Sequence, residues 1–83
     1  MNEDILKSKV RNAFITVLGH DNFILNNTTT AHDVEGWESI THMMIITEIE
    51  TTFNIRFKLM DLMQMDTVGD LLIAINKELA ATT

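Results

Sequence analysis

Apolar residues recur at steps of three and four in three separate parts of this 83-residue sequence, and no part alternates as a strand would. Such spacing places each set on one face of a helix. The three sets are Leu6, Val10, Phe14, Val17 and Leu18; Ile40, Met43, Ile46, Ile49 and Phe53; and Val68, Leu71, Leu72, Ile75 and Leu79. The sequence therefore predicts an all-α fold built on three amphipathic helices.

The residues at the ends of these segments support the prediction. Asn2 is suited to cap the first helix and Gly19 to end it. Thr67 followed three residues later by Asp70 is typical of a capping box before the last helix. Residues 59–65 are long enough only for a minor helix. We therefore expect a four-helix bundle with three main helices and a short third one, in a single domain over residues 1–83.

Residues 20–38 are mostly polar and predict a long first loop. Loops of this length are uncommon inside a compact domain, and they are usually either functional or disordered. We expect Trp37, the only tryptophan, to fix the loop against the bundle. The apolar residues available to anchor the loop are Phe23, Ile24, Leu25, Val34 and Trp37.

The charge of the chain narrows the classes of function. Twelve acidic against six basic residues give a formal net charge of -6. That field repels phosphate backbones and anionic lipid and attracts basic protein surfaces, so we expect neither nucleic-acid binding nor membrane insertion. The acidic N-terminal residues are unlike a signal peptide, and we expect a cytoplasmic protein. The chain has no cysteine, so any thiol chemistry must be imported.

Ser39 opens the second predicted helix, within the stretch GWESITH at residues 36–42. As a helix N-cap, it would accept hydrogen bonds from the exposed amides and contribute about 1 kcal/mol over alanine. The same place also suits a phosphate ester, because free amides and the positive end of the helix dipole stabilise phosphate charge. The two interpretations are compatible.

Catalysis and metal binding are poorly supported by the spacing. A serine hydrolase would combine Ser39 with His42 and with Asp33 or Glu35, but the strained glycine elbow and an oxyanion hole are missing. The histidines are too widely spaced for a preformed metal site, and we expect them to be exposed: His20, His32 and His42. We interpret the methionines as core or rim residues whose flexible side chains suit an adaptable cavity: Met43, Met44, Met60, Met63 and Met65.

The order of these features resembles the acyl carrier protein family. Its members carry Asp-Ser-Leu at the start of the second helix, Phe-Gly-Ile at its end and Thr-Val opening the last helix. The corresponding residues here are Glu38, Ser39 and Ile40; Phe53, Asn54 and Ile55; and Thr67 and Val68. The register runs without a gap from Asp33 to about Leu79, whereas the first helix matches by pattern and length more than by motif.

This resemblance implies a non-catalytic carrier. Ser39 would receive 4'-phosphopantetheine from coenzyme A, transferred by a separate phosphopantetheinyl transferase. Glu38 and Ile40 would shape recognition by that enzyme. Acyl-loading and acyl-processing enzymes with basic docking patches would be the other partners, and a monomer suits such a shuttle. The candidate docking or chain-contact positions are His42, Met43, Met44, Ile46 and Thr47.

The sequence departs from the family pattern at positions that bear on partner choice. Glu38 replaces the usual aspartate, so we expect selective loading. Thr41, Met44 and Arg56 stand where carriers of primary fatty-acid synthesis usually have acids. Because complementary charge largely sets partner choice, we expect a dedicated fatty-acid, polyketide-like or related pathway.

Two other functions stay open at this point. The chain is also compatible with a peptidyl or aminoacyl carrier, such as a D-alanyl carrier. A helical protein-interaction module without a prosthetic group is the alternative from a different class. In that module Ser39 would only cap a helix, and the methionine-rich face would bind a partner helix.

Overall fold

Four α-helices and a long first loop make up the computed structural model, which describes residues 2–81. The helices are α1 (Glu3–Leu18), α2 (Ser39–Phe53), α3 (Leu59–Met63) and α4 (Val68–Ala81), and the loop contains a 3-10 turn at Ala31–Asp33. The predicted all-α bundle with a minor third helix is confirmed, although α3 ends two residues early. Within residues 2–81, no helix has the length and apolar character needed to cross a bilayer.

The ends of α1 and α4 form as predicted. The Asn2 side chain accepts the Asp4 N–H at 2.7 Å, and Gly19 ends α1 with φ of 77° in the left-handed region. At the start of α4, the Asp70 N–H donates to Thr67 Oγ1, while the Thr67 N–H donates to the Asp70 carboxylate, both at 3.1 Å. Local residue chemistry therefore sets these boundaries.

The core is one apolar cluster shared by α1, α2, α4 and the loop, with α1 lying against α2. α3 contributes no buried residue and packs only Leu62 against the cluster. The buried apolar residues of the three main helices are Leu6, Val10, Ala13 and Phe14 on α1; Ile45, Ile46, Ile49 and Phe53 on α2; and Val68, Leu71, Leu72, Ala74 and Ile75 on α4.

The predicted buried face of α2 was wrong in its first two turns. Ile40 is 77% exposed and Met43 is 52% exposed, whereas Ile45 is fully buried. The inner position of the first turn belongs to His42, which is half-buried and bonded to Trp37. In the first two turns of α2, the face toward the core therefore carries His42 and Ile45, whereas Ile40 and Met43 lie on the solvent side.

The core position predicted for the methionines was wrong for four of the five, whereas Met65 packs against the core cluster. Met43, Met44, Met60 and Met63 are exposed, and Met65 is half-buried. Branched aliphatic and phenylalanine side chains fill the core in their place. Four methionines on α2 and α3 therefore face solvent.

The first loop is anchored by aromatic packing. Trp37 is 6% exposed and lies edge-to-face against Phe14 of α1, with ring centroids 4.9 Å apart. Phe23 and Val34 are buried beside them. The predicted role of Trp37 is confirmed, but the exposed Ile24 is not an anchor.

The loop also satisfies the first amides of α4. The Val68 N–H donates to the Thr29 carbonyl and the Gly69 N–H to the Asn27 carbonyl, each at 2.9 Å. The first amides of a helix have no partner inside that helix, so these bonds both complete α4 and fix the middle of the loop.

Gly69 is required by this junction, and its replacement gives a first prediction. A Cβ at Gly69 would lie 2.7 Å from the backbone oxygen of Asn27, which no side-chain rotation can relieve. We expect Gly69→Ala to lower the free energy of unfolding by about 1–3 kcal/mol, the usual range for overpacking, although alanine favours helix. Urea unfolding measures it, with the exposed Asn76→Ala on the same helix as control. Unchanged stability of Gly69→Ala would contradict the close approach.

Candidate functional site

The residue at the N-cap of α2 is not the predicted Ser39. Glu38 is the N-cap residue and Ser39 is the first helical residue. The Ser39 side chain is exposed, and its Oγ makes no hydrogen bond to any residue in 2–81. The interpretation of Ser39 as a cap was therefore wrong, and its hydroxyl is free to react.

Thr41 stabilises this helix end instead. Its Oγ1 accepts the Glu38 N–H at 2.7 Å and donates to the Gly36 carbonyl at 2.6 Å. Gly36 has φ of 86°, a left-handed conformation that glycine adopts without strain. This role of Thr41 was not among the predicted ones, although a hydroxyl at the third helical position facing the N-cap is a signal that would indicate it.

The first amides of α2 are open, in contrast to those of α4. The N–H groups of Ser39 and Ile40 have no hydrogen-bond partner within the described chain. The first backbone bond inside the helix runs from the His42 N–H to the Glu38 carbonyl at 2.7 Å. Open amides at the positive end of the helix dipole favour an anionic group held on Ser39.

A groove with a volume of about 960 Å³ begins beside Ser39. It lies between the end of the loop, the first turns of α2 and the segment after α3, and its wall combines apolar and polar side chains. The residues that matter for its chemistry are Trp37, Glu38, Ser39, His42, Met65 and Asp66. Met65 and Asp66 were not predicted as site residues, because no local pattern indicates which residues after α3 lie opposite Ser39.

His42 lines this groove and is fixed by Trp37. The indole Nε1–H donates to His42 Nδ1 at 3.0 Å, and the two rings stack at 25°. Because an indole nitrogen only donates, Nδ1 is the acceptor and the ring proton lies on Nε2. Burial lowers the pKa of His42 and favours this neutral form. The expectation of an exposed His42 was therefore wrong.

This burial predicts a pH dependence of stability. In the unfolded chain, histidine takes up a proton near pH 6.5, whereas the lowered pKa of His42 delays uptake in the folded chain. The unfolded state thus binds more protons in that interval, so the free energy of unfolding decreases as the pH falls below about 7 and levels off below the folded pKa. Urea unfolding at pH 7.5 and 5.5 measures the effect.

The matched variants for this prediction are His42→Asn and His32→Asn. The acid-induced loss should be smaller in His42→Asn than in the wild type. The exposed His32 carries no such burial, so His32→Asn should keep the wild-type loss. An equal loss in all three proteins would contradict the assignment to His42.

Within residues 2–81, Ser39 and the histidines form neither a hydrolase triad nor a metal cluster. Ser39 Oγ bonds no imidazole, and Trp37 occupies His42 Nδ1. His20 is half-buried, and its Nε2 lies 2.8 Å from the Glu35 carbonyl, where it ties the loop together. Among the residues described, no three His, Cys, Asp or Glu side chains come together as a metal site would need.

The predicted docking positions are not all on the surface. Ile46 is 2% exposed, so it cannot contact a docked protein. Of its two predicted roles, only contact with an acyl chain held inside the bundle stays possible. His42 is half-buried in the groove. The exposed members of the set are Glu38, Ile40, Met43, Met44 and Thr47.

A family model described as phosphopantetheine attachment site matches residues 8–75, most of the chain and all of the groove. The chain belongs to the acyl carrier protein family. Its prosthetic group is a covalently bound 4'-phosphopantetheine. Carriers of this family work with phosphopantetheinyl transferases and acyl-processing enzymes, and carrier domains are generally non-catalytic.

A solved structure supports the same membership. The solution NMR structure of holo acyl carrier protein from Geobacter metallireducens matches this carrier with a TM-score of 0.82 and 32% sequence identity. The match covers 90% of this chain and 86% of that chain. A search of curated protein sequences gives no significant match.

Proposed function

We propose that Ser39 is the residue that bears 4'-phosphopantetheine and that the chain carries acyl intermediates as thioesters in the cytoplasm for a dedicated biosynthetic pathway. The observation that supports this most is the free, exposed Ser39 hydroxyl at the first residue of α2. The only other serine, Ser8, lies inside α1, away from any helix start. Attachment at Ser39 therefore uses the one serine at a helix N-terminus.

The residues around Ser39 fit the prosthetic group. The open N–H groups of Ser39 and Ile40 suit a phosphate, and the groove beside them has polar and apolar walls for the arm. Thr41 keeps the first turn in place, so the Ser39 hydroxyl is not needed for the helix. The prosthetic group supplies the thiol for thioester bonds, because the chain itself has no cysteine.

Intact-protein mass spectrometry tests the attachment. We would incubate the protein with coenzyme A, magnesium and a broad-specificity phosphopantetheinyl transferase, and repeat the reaction with the host's own transferase because Glu38 replaces the family's aspartate. We expect the mass of one phosphopantetheinyl group, mapped by fragmentation to Ser39 and retained in Ser8→Ala. No gain with either enzyme would favour the interaction module.

The surface of α2 supports the choice of a dedicated pathway. Met44 is exposed and uncharged, while the Thr41 hydroxyl is engaged with the backbone. Arg56 adds an exposed positive charge soon after α2. The net charge of -6 still steers the carrier toward basic partners, but the α2 face offers apolar contacts where an acidic face would be expected. A partner enzyme whose docking patch has an apolar centre surrounded by basic residues would fit this surface.

Met44→Glu tests the role of this face. A new acidic group opposite a basic docking patch contributes about 0.2–1 kcal/mol, so we expect binding to a housekeeping ketosynthase to tighten by about 1.4- to five-fold. Titration calorimetry on the holo proteins measures it. Ile5→Glu is the matched control, because Ile5 and Met44 are both 51% exposed and Ile5 lies on α1. An equal gain at both positions, or none at Met44, would exclude Met44 as a discriminating position.

A further inference from the structure

His42 has one ring nitrogen occupied and the other free. Nδ1 accepts the Trp37 indole N–H, and Nε2 has no partner among residues 2–81. The free nitrogen is the one that carries the proton. The ring lines the groove that begins at Ser39, so it offers a hydrogen-bond donor within the proposed site.

The helix geometry places the His42 side chain beside Ser39. Residues three apart on a helix are neighbours on one face, which applies to Ser39 and His42. Helical side chains also lean toward the N-terminus, over the preceding turn. The bond from His42 Nδ1 to Trp37 holds the ring in place, and Nε2 lies on the opposite edge of the ring, away from Trp37.

We propose that His42 is a second residue that binds the prosthetic group: its Nε2–H donates a hydrogen bond to the phosphate carried by Ser39, and Trp37 holds the ring in the orientation and tautomer that this requires. This inference rests on the proposed attachment at Ser39. The hydrogen bond from His42 would give the phosphate a side-chain ligand in addition to the open amides of α2. It would also turn the first part of the phosphopantetheine arm toward the groove.

The charges around the groove make such a donor useful. The carboxylates of Glu38 and Asp66 line it and oppose a phosphate, and His32 is the other titratable group there. The His32 ring makes no hydrogen bond within the described residues, so nothing orients it. His42 is therefore the groove imidazole whose free N–H is held in a fixed direction.

NMR of the wild-type protein tests the proposal without any substitution. The histidine ring nitrogens are titrated in apo and holo samples, with the holo state verified by mass. Because a nearby negative charge favours the imidazolium, we expect the pKa of His42 to rise on loading. A His42 pKa that is the same in the apo and holo samples would overturn the proposal.

The phosphorus resonance of the holo protein gives an independent measurement. A phosphodiester does not titrate between pH 5 and 8, so an inflection there reports a neighbouring group. We expect one at the pKa of His42 in the wild type and in His32→Asn. It should disappear in His42→Asn, whose amide can accept from Trp37 but is too short to reach the phosphate.

His42→Gln serves as the conservative variant. Its longer amide places a donor near the position of Nε2, so its phosphorus shift at neutral pH should be closer to the wild-type value than that of His42→Asn. An inflection that persists in His42→Asn would overturn the proposal. A sample that gains no phosphopantetheine at Ser39 would sink the attachment itself, and mass spectrometry shows that before any spectrum is recorded.

Discussion

Ser39→Ala is expected to abolish loading by phosphopantetheinyl transferases and to leave the fold unchanged. The variant lacks the hydroxyl that would form the phosphodiester, and the only other serine lies inside α1. The same hydroxyl makes no hydrogen bond among the described residues, so we expect stability within about 0.5 kcal/mol of the wild type. Intact mass and urea unfolding of the same preparation measure both quantities.

Thr41→Val is the matched variant, with the opposite pattern of effects. It removes a hydroxyl that bonds both Glu38 and Gly36 at the same helix end. We expect a loss of about 1 kcal/mol in stability, and loading that remains complete. If Ser39→Ala were the destabilised variant and Thr41→Val the unloaded one, the assignment of the tether and of the stabilising hydroxyl would be reversed.

Phe14→Ala is expected to have the largest effect on stability. Phe14 is fully buried and lies between Trp37 and Phe23, with ring centroids 4.9 and 5.9 Å away. Truncating such a residue costs about 3–5 kcal/mol, close to the whole stability of a marginal small domain. The variant should therefore be partly unfolded in water and should lose the anchor of the first loop.

Urea unfolding followed by circular dichroism measures this loss. Ile5→Ala is the control on the same helix, because Ile5 is half-exposed and its truncation should change stability by no more than about 0.5 kcal/mol. A cost below about 2 kcal/mol for Phe14→Ala would mean that the site collapses around the cavity and that the aromatic cluster is not what holds the loop.

The helices could be predicted from the sequence because their signals are local. The caps at Asn2, Gly19 and Thr67 act through residues within four positions, and the apolar spacing is strong in each main helix. The buried face at the start of α2 depends on a distant contact instead. Ile40 and Met43 fit a helical stripe as well as His42 and Ile45 do, and the packing of Trp37 selects the second pair.

The methionines show a different limit of sequence patterns. Spacing indicates which residues share a helical face, but it does not indicate whether anything covers that face. α3 is short and contributes no buried residue, so Met60 and Met63 stay exposed although they are apolar. Recognising them as surface residues would have required the positions of α2 and α4 relative to α3.

The candidate site was predicted in part. Ser39 and the prosthetic group followed from the resemblance to carrier proteins, because the physical pattern alone fitted a cap equally well. The bond between Trp37 and His42 joins two residues that the pattern treats separately, one in a loop and one in a helix. Asp66 lies 27 positions after Ser39 in the chain, so its place in the groove is set by tertiary structure and not by a local pattern.

The bonds from Val68 and Gly69 to the loop carbonyls have a consequence for motion. In most helices the first amides exchange rapidly with deuterium, because fraying exposes them. Here those two amides can exchange only when residues 27–29 leave α4. The exchange rates of these two amides therefore report how often residues 27–29 detach from α4. Slower exchange in the holo protein would show that the group attached at Ser39, just after the loop, restrains the middle of the loop.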